Sequence, residues 1–158
     1  MNRIILAIIL AGFGAQLVKI ILYWFRHKAL SWHDLIVTGG MPSSHSAFVI
    51  SLTTIIFLEE GVSSAFAISL VLAMIVIRDA FGVRRSVGLE GKAIEKLFKI
   101  NKIKSKFHYS MGHTPLQVFV GSIIGFIVSI LTYYLLWINL YLNFPFFLNL
   151  TSPLTKTI

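Results

Sequence analysis

Two histidines open two long apolar runs, and each sits in a turn-forming sequence. His45 lies within Gly39-Gly40-Met41-Pro42-Ser43-Ser44-His45-Ser46. The glycines and proline mark a tight turn, Pro42 suits the first turn of a helix, and the serines are able to cap its free amides. His113 directly precedes Thr114-Pro115-Leu116-Gln117, a capping-box pattern with proline at the first helical position. A helix N-terminus with unpaired N–H groups attracts anions, and histidine is the side chain that exchanges a proton near neutral pH. Lys19, Arg26, Arg84 and Arg85 add positive charge. Phosphoryl transfer needs this inventory: a nucleophile, an acid for the leaving oxygen, and fixed positive charge for the phosphate oxygens. Arginine serves well because its planar fork meets phosphate with two parallel hydrogen bonds. The sequence offers no acidic cluster to hold a pair of catalytic metals, so covalent catalysis through histidine, without metal or other cofactor, is the simpler chemistry. With no cysteine in the chain, disulfides and thiolate nucleophiles are excluded.

The elements that must position these groups are membrane helices. Of 158 residues, 56% are apolar and only 13% charged, and the mean hydropathy is +0.83. That composition belongs to an integral membrane protein. The 14 basic against 6 acidic residues fall between apolar runs, which fits anionic headgroups and the positive-inside rule rather than nucleic acid. The pattern predicts a single all-α membrane domain over residues 1–158, a polytopic helical bundle. About four transmembrane helices are expected, at about 4–25, 42–58, 62–80 and 114–137, with a basic interfacial helix at about 90–108. The apolar N-terminal run is long enough to span and is read as a span, not a cleaved leader.

Within this frame Lys19 and Arg26, nearly two turns apart, share one helix face, although Lys19 could simply snorkel to the interface. Ser44, His45, Ser46, Ser51, Thr53 and Thr54 make the early second helix unusually polar, as if it lined a wet cavity. Arg78-Asp79 reads as an ion pair ending the third helix, or Asp79 orients a catalytic histidine. Residues 81–88 read as a glycine-punctuated loop carrying Arg84 and Arg85. Lysines from Lys92 to Lys106, interleaved with Ile94, Leu97 and Phe98, predict a basic amphipathic helix on an anionic membrane surface. The tail beyond residue 137 is apolar and broken by Pro145 and Pro153. Four spans put both basic connections, and with them His45, His113, Lys19, Arg26, Arg84 and Arg85, on one side of the membrane, expected to be cytoplasmic. A lone histidine near a helix start commonly does no more than hydrogen-bond at the interface. Two at matched positions, with arginines on the same face, favour a phosphate site.

Pro42-Ser43-Ser44-His45 resembles the Pro-Ser-Gly-His signature of the type-2 phosphatidic acid phosphatase superfamily, whose relatives include bacterial acid phosphatases and vanadium haloperoxidases. Lys19 and Arg26 fit that superfamily's first signature, Lys, six residues, Arg-Pro, with His27 in place of the proline. Together with Arg78-Asp-Ala-Phe-Gly-Val-Arg-Arg85 and Gly112-His-Thr-Pro-Leu-Gln-Val118, these stretches are similar to the divergent branch, the acid phosphatase/vanadium-dependent haloperoxidase-related membrane proteins, and to a small bacterial member in particular. The resemblance implies an enzyme of the bacterial cell membrane that removes phosphate from a lipid. His113 would be the nucleophile forming a phosphohistidine, and His45 the acid protonating the leaving alkoxide. Lys19, Arg26 and Arg84 or Arg85 would clamp the phosphate, helped by Ser43 and the amide of Ser44. Gln117 replaces the superfamily's aspartate that orients the nucleophile, Ser44 replaces a glycine, and Lys106 and Phe107 stand where Ser-Arg is usual. The expected partners are an anionic lipid substrate and the surrounding membrane lipids. A non-catalytic lipid or anion carrier using the same cationic pocket is the alternative, and an assembly protein with a decayed site is a third reading.

Overall fold

The computed structural model describes residues 3–27, 40–103 and 112–150, with side chains omitted at 26, 27, 137 and 139–150. It is an all-α membrane bundle, with five helices and no strand among the described residues: α1 (Arg3–His27), α2 (Ser44–Glu60), α3 (Ser64–Phe81), α4 (Val83–Ile100) and α5 (Pro115–Leu150). Three stretches are long and apolar enough to cross a membrane: Arg3–Phe25, the α3–α4 run Ser64–Ile100, and Pro115–Leu136. Their outward side chains are apolar, as at Phe13, Ile68 and Phe119, which suits lipid as the solvent.

α2 is the hub. At 17 residues it measures about 26 Å, a little short of the ~30 Å hydrocarbon core, and it packs against α1, α3 and α5. It runs antiparallel to α1, since Arg3 at the start of α1 pairs with Glu59 at the end of α2 at 3.3 Å. Small residues make this packing close. Ala7, Ala11 and Ala15 form a fully buried stripe on α1, and the Phe48 ring of α2 sits on Gly12, where a Cβ would lie 2.0 Å from it. On α5, a Cβ at Gly121 would lie 2.2 Å from the Ser43 carbonyl oxygen and one at Gly125 2.4 Å from that of Ala47. Two glycines four apart thus let α5 ride on the backbone of α2, as in small-xxx-small packing of membrane helices.

Of the polar face expected to line a wet cavity, Ser46, Ser51 and Thr53 are instead buried inside the bundle, while His45 stays exposed. Ser129 of α5 donates to Ser51 Oγ at 2.8 Å, and Thr53 Oγ1 lies 3.1 Å from the Ser69 carbonyl of α3. Ser46 and Ser43 hydroxyls meet at 3.0 Å. Hydroxyls buried among helices find partners in neighbouring backbone, because hydrocarbon offers none. Pro42 also departs from expectation. It lies outside the helix, after a cis peptide bond, and Ser43 is the N-cap, its Oγ accepting from the Ser46 amide.

Residues 81–88 are not a loop. Only Gly82 breaks the chain's helical course, with φ −95° and ψ −92°, and Arg84 and Arg85 lie in the first turn of α4. α5 likewise runs through Pro145 to Leu150, so the break expected after residue 137 is absent. Apolar residues continue on both sides of Pro145, and proline is tolerated within membrane helices. Lys104, Lys106 and Phe107 lie outside the described residues.

Candidate active site

The C-terminal ends of α1 and α3 and the N-terminal ends of α2, α4 and α5 meet at one end of the bundle. A backbone hydrogen bond from the Ser43 amide to the Gln117 carbonyl, 3.1 Å, ties the α2 turn to α5. The other tie involves the break at Gly82. Where the helical course stops, carbonyls of the last turn of α3 lose their partners, and the Ala80 carbonyl accepts instead from the His113 amide at 3.0 Å. Gly112 presses against the start of α4 so closely that a Cβ would lie 2.3 Å from the Arg85 nitrogen. The Gly112-His113 segment therefore wedges into the α3–α4 break.

His113 is held there, 8% exposed. Its Nδ1 lies 3.3 Å from Gln117 Oε1, and the same oxygen accepts from the Thr114 amide at 3.0 Å. Thr114 Oγ1 in turn accepts from the Gln117 amide at 3.4 Å, which completes the capping box. The two readings of Gln117, cap and histidine partner, are both satisfied by one oxygen. The backbone N–H of Thr114 also fixes which end of the Gln117 amide faces inward. Gln117 Oε1 only accepts there, so a proton carried on Nδ1 is donated to it.

The histidine's proton affinity is lowered from its ordinary value, first by burial. The Gln117 hydrogen bond opposes this, the charges of Lys19 and His45 add to it, and the Gly40 backbone on the ring opposes it again. Those partners map the site. Lys19 reaches the Gly40 turn, its Cε 3.3 Å from where a Gly40 Cβ would sit, and Gly40 holds a left-handed φ of +83°. His45 in the first turn of α2 lies within electrostatic reach of Arg84, Lys19 and Asp79. His45, His113, Lys19, Arg84 and Asp79 thus share one cluster.

Asp79 does not pair with Arg78. Its Oδ2 accepts from Arg84 Nε at 2.5 Å, while Arg78 lies over the Phe81 ring at 5.9 Å. The helical turn across Gly82 brings residue 84, not residue 78, round to Asp79. The Nδ1 partner of His113 is Gln117 rather than Asp79, while Asp79 lies within electrostatic reach of His45. Ser43 is fully buried as the cap of α2, whereas the amides of Ser44 and His45 find no acceptor among the described residues. Arg85 is exposed beside the cluster. Arg26 lies in the last turn of α1, its side chain outside the described residues. The sequence reading missed the wedge of Gly112, for which no local signal exists, and the Gly121–Gly125 contact, which the small-xxx-small spacing did signal.

Residues 1–128 match a family described as the "Divergent PAP2 family". The chain belongs to that divergent PAP2 family. It is also 36% identical over 137 residues to a protein of Bacillus subtilis (strain 168) named "Uncharacterized membrane protein YuiD", covering 76% of this chain and 87% of the relative. No solved structure matches. The matched region of this divergent PAP2 protein takes in every histidine and cation of the cluster and the Gly121–Gly125 contact that seats it.

Proposed function

We propose that this divergent PAP2 protein hydrolyses a phosphomonoester or diphosphate carried on a membrane lipid, through a phosphohistidine intermediate. The observation that carries the reading is the two-histidine cluster, with His113 Nδ1 committed to Gln117 Oε1 and His45 in the field of Lys19 and Arg84.

In the proposed reaction the neutral His113 ring attacks phosphorus through Nε2, the nitrogen not held by Gln117. The bond from phosphorus to the lipid oxygen breaks, its electron pair stays on that oxygen, and His45 supplies the proton. Water then attacks the phosphohistidine, His45 takes back a proton, and inorganic phosphate departs. Lys19, Arg26, Arg84 and Arg85, with the Ser44 and His45 amides, stabilise charge on the three equatorial oxygens. Phosphatidate, phosphatidylglycerophosphate and polyprenyl phosphates all present such a group at a membrane surface. Purified protein in detergent or proteoliposomes is expected to release phosphate from such lipids, and vanadate is expected to inhibit it. His113→Ala should reduce release to background, and His45→Ala should slow it by about 10²–10⁴-fold. Unchanged turnover in both variants would overturn the reading.

Two observations favour the carrier. Gln117 lacks the negative charge that would stabilise imidazolium, and Arg84 is already engaged by Asp79. A carrier binds the same lipid phosphates in the same cluster but releases no phosphate and forms no covalent adduct.

A further inference from the structure

α4 leaves the site end of the bundle and touches chiefly α3. At about 100° per residue, Val83, Val87, Ile94 and Leu97 fall within an arc of about 80°. All four are exposed, at 62%, 54%, 41% and 57%. Arg85, Lys92, Lys96 and Lys99 fall within about 60° on the opposite side. The helix carries five basic residues against two acidic. Glu95 pairs with Lys99 at 2.6 Å, and Glu90 is the one carboxylate lying on the apolar arc. An exposed apolar arc facing away from a basic one suits a helix lying in the headgroup region of an anionic leaflet. The location agrees, because α4 begins where the apolar α3 ends, at Gly82.

We infer that α4 is a docking arm for the anionic surface of the protein's own membrane. Its apolar arc enters the acyl–headgroup boundary, and its lysines meet lipid phosphates at roughly 1 kcal/mol each near a charged surface. The base of the arm is the break that receives Gly112 and His113. The surface itself does not depend on the phosphatase reading, and its test reads no turnover.

The chain has no cysteine, so a single probe can be placed cleanly. Leu97→Cys, carrying an environment-sensitive fluorophore, is measured with one chain per nanodisc, in phosphatidylcholine alone and with added phosphatidylglycerol. The expected result is a blue shift in the anionic disc that weakens at high salt, while Lys96→Cys keeps a water-like emission in both. In the Leu97→Cys background, reversing Lys92, Lys96 and Lys99 to glutamate should abolish the shift without changing helicity. Equal Leu97→Cys emission in neutral and anionic discs, a blue-shifted Lys96→Cys, or a shift that survives charge reversal would each overturn the inference.

Discussion

The proposed chemistry turns on His113, and the environment of that residue has a testable sign. Burial holds its proton affinity below the ordinary value, which favours the neutral ring at pH 7. Protonation, and with it loss of nucleophilicity, sets in only as pH falls below the usual histidine range near ~6.5. Titration of labelled histidine by NMR in detergent should show this low midpoint for His113. Gln117→Glu places a carboxylate beside the ring and favours imidazolium. The acid limb of kcat/KM should then move up by about one pH unit or more; an unmoved limb would mean that Gln117 serves only the cap. Asp79 pairs with Arg84 and, in the proposed reaction, would act through it. Both partners are substantially exposed, so Asp79→Asn should cost only about 0–1 kcal/mol of stability. It should raise KM for lipid phosphate more than it lowers kcat, with Asp79→Glu partly restoring KM. At this scale the sequence was legible in part. The capping box and the two matched histidines are local patterns, and Gln117 could be placed opposite His113 by counting one turn. The partner of Asp79 could not, because it depends on how the chain passes Gly82, and the adjacent Arg78 was the wrong choice.

At the scale of elements, hydropathy alone revealed the apolar runs, and glycine spacing carried more information than was drawn from it. Gly121 and Gly125 bring α5 onto the backbone of α2, and that contact sets the separation of the turn holding His45 from the turn holding His113. Alanine at either position would meet a carbonyl, which cannot swing aside as a flexible side chain could. Each substitution should destabilise the bundle by about 1–3 kcal/mol, read as loss of thermal stability in detergent. Gly112→Ala would meet the backbone of Arg84 and Arg85. Its expected signature differs: thermal stability changes less than for Gly121→Ala, while turnover falls because the wedge carrying His113 is pushed from its slot. The wedge was illegible in sequence because it joins segments nearly thirty residues apart through backbone contacts that leave no side-chain pattern. The polar residues of α2 misled for a related reason. Ser51 looks hydrated until Ser129 of α5 is known to lie against it.

For the whole molecule, topology is the open physical quantity. Basic residues gather at the site end, and Glu59 with Arg3 marks the other. By the positive-inside rule the cluster is expected on the cytoplasmic side. A cysteine at Lys96 should react with a membrane-impermeant reagent only after the cells are opened; reaction in intact cells would put the site outside. Family membership and the helical bundle together make a membrane protein with one polar end, while the chemistry proposed for that end rests on His113. The most direct measurement is to quench purified protein during turnover of a lipid phosphate labelled in its phosphoryl group, and to look for label on the chain. The account expects an acid-labile, base-stable phosphohistidine at His113, lost in His113→Ala and accumulating in His45→Ala with a good leaving group. Phosphate release with no label on His113, or full labelling in the His113→Ala variant, would contradict it.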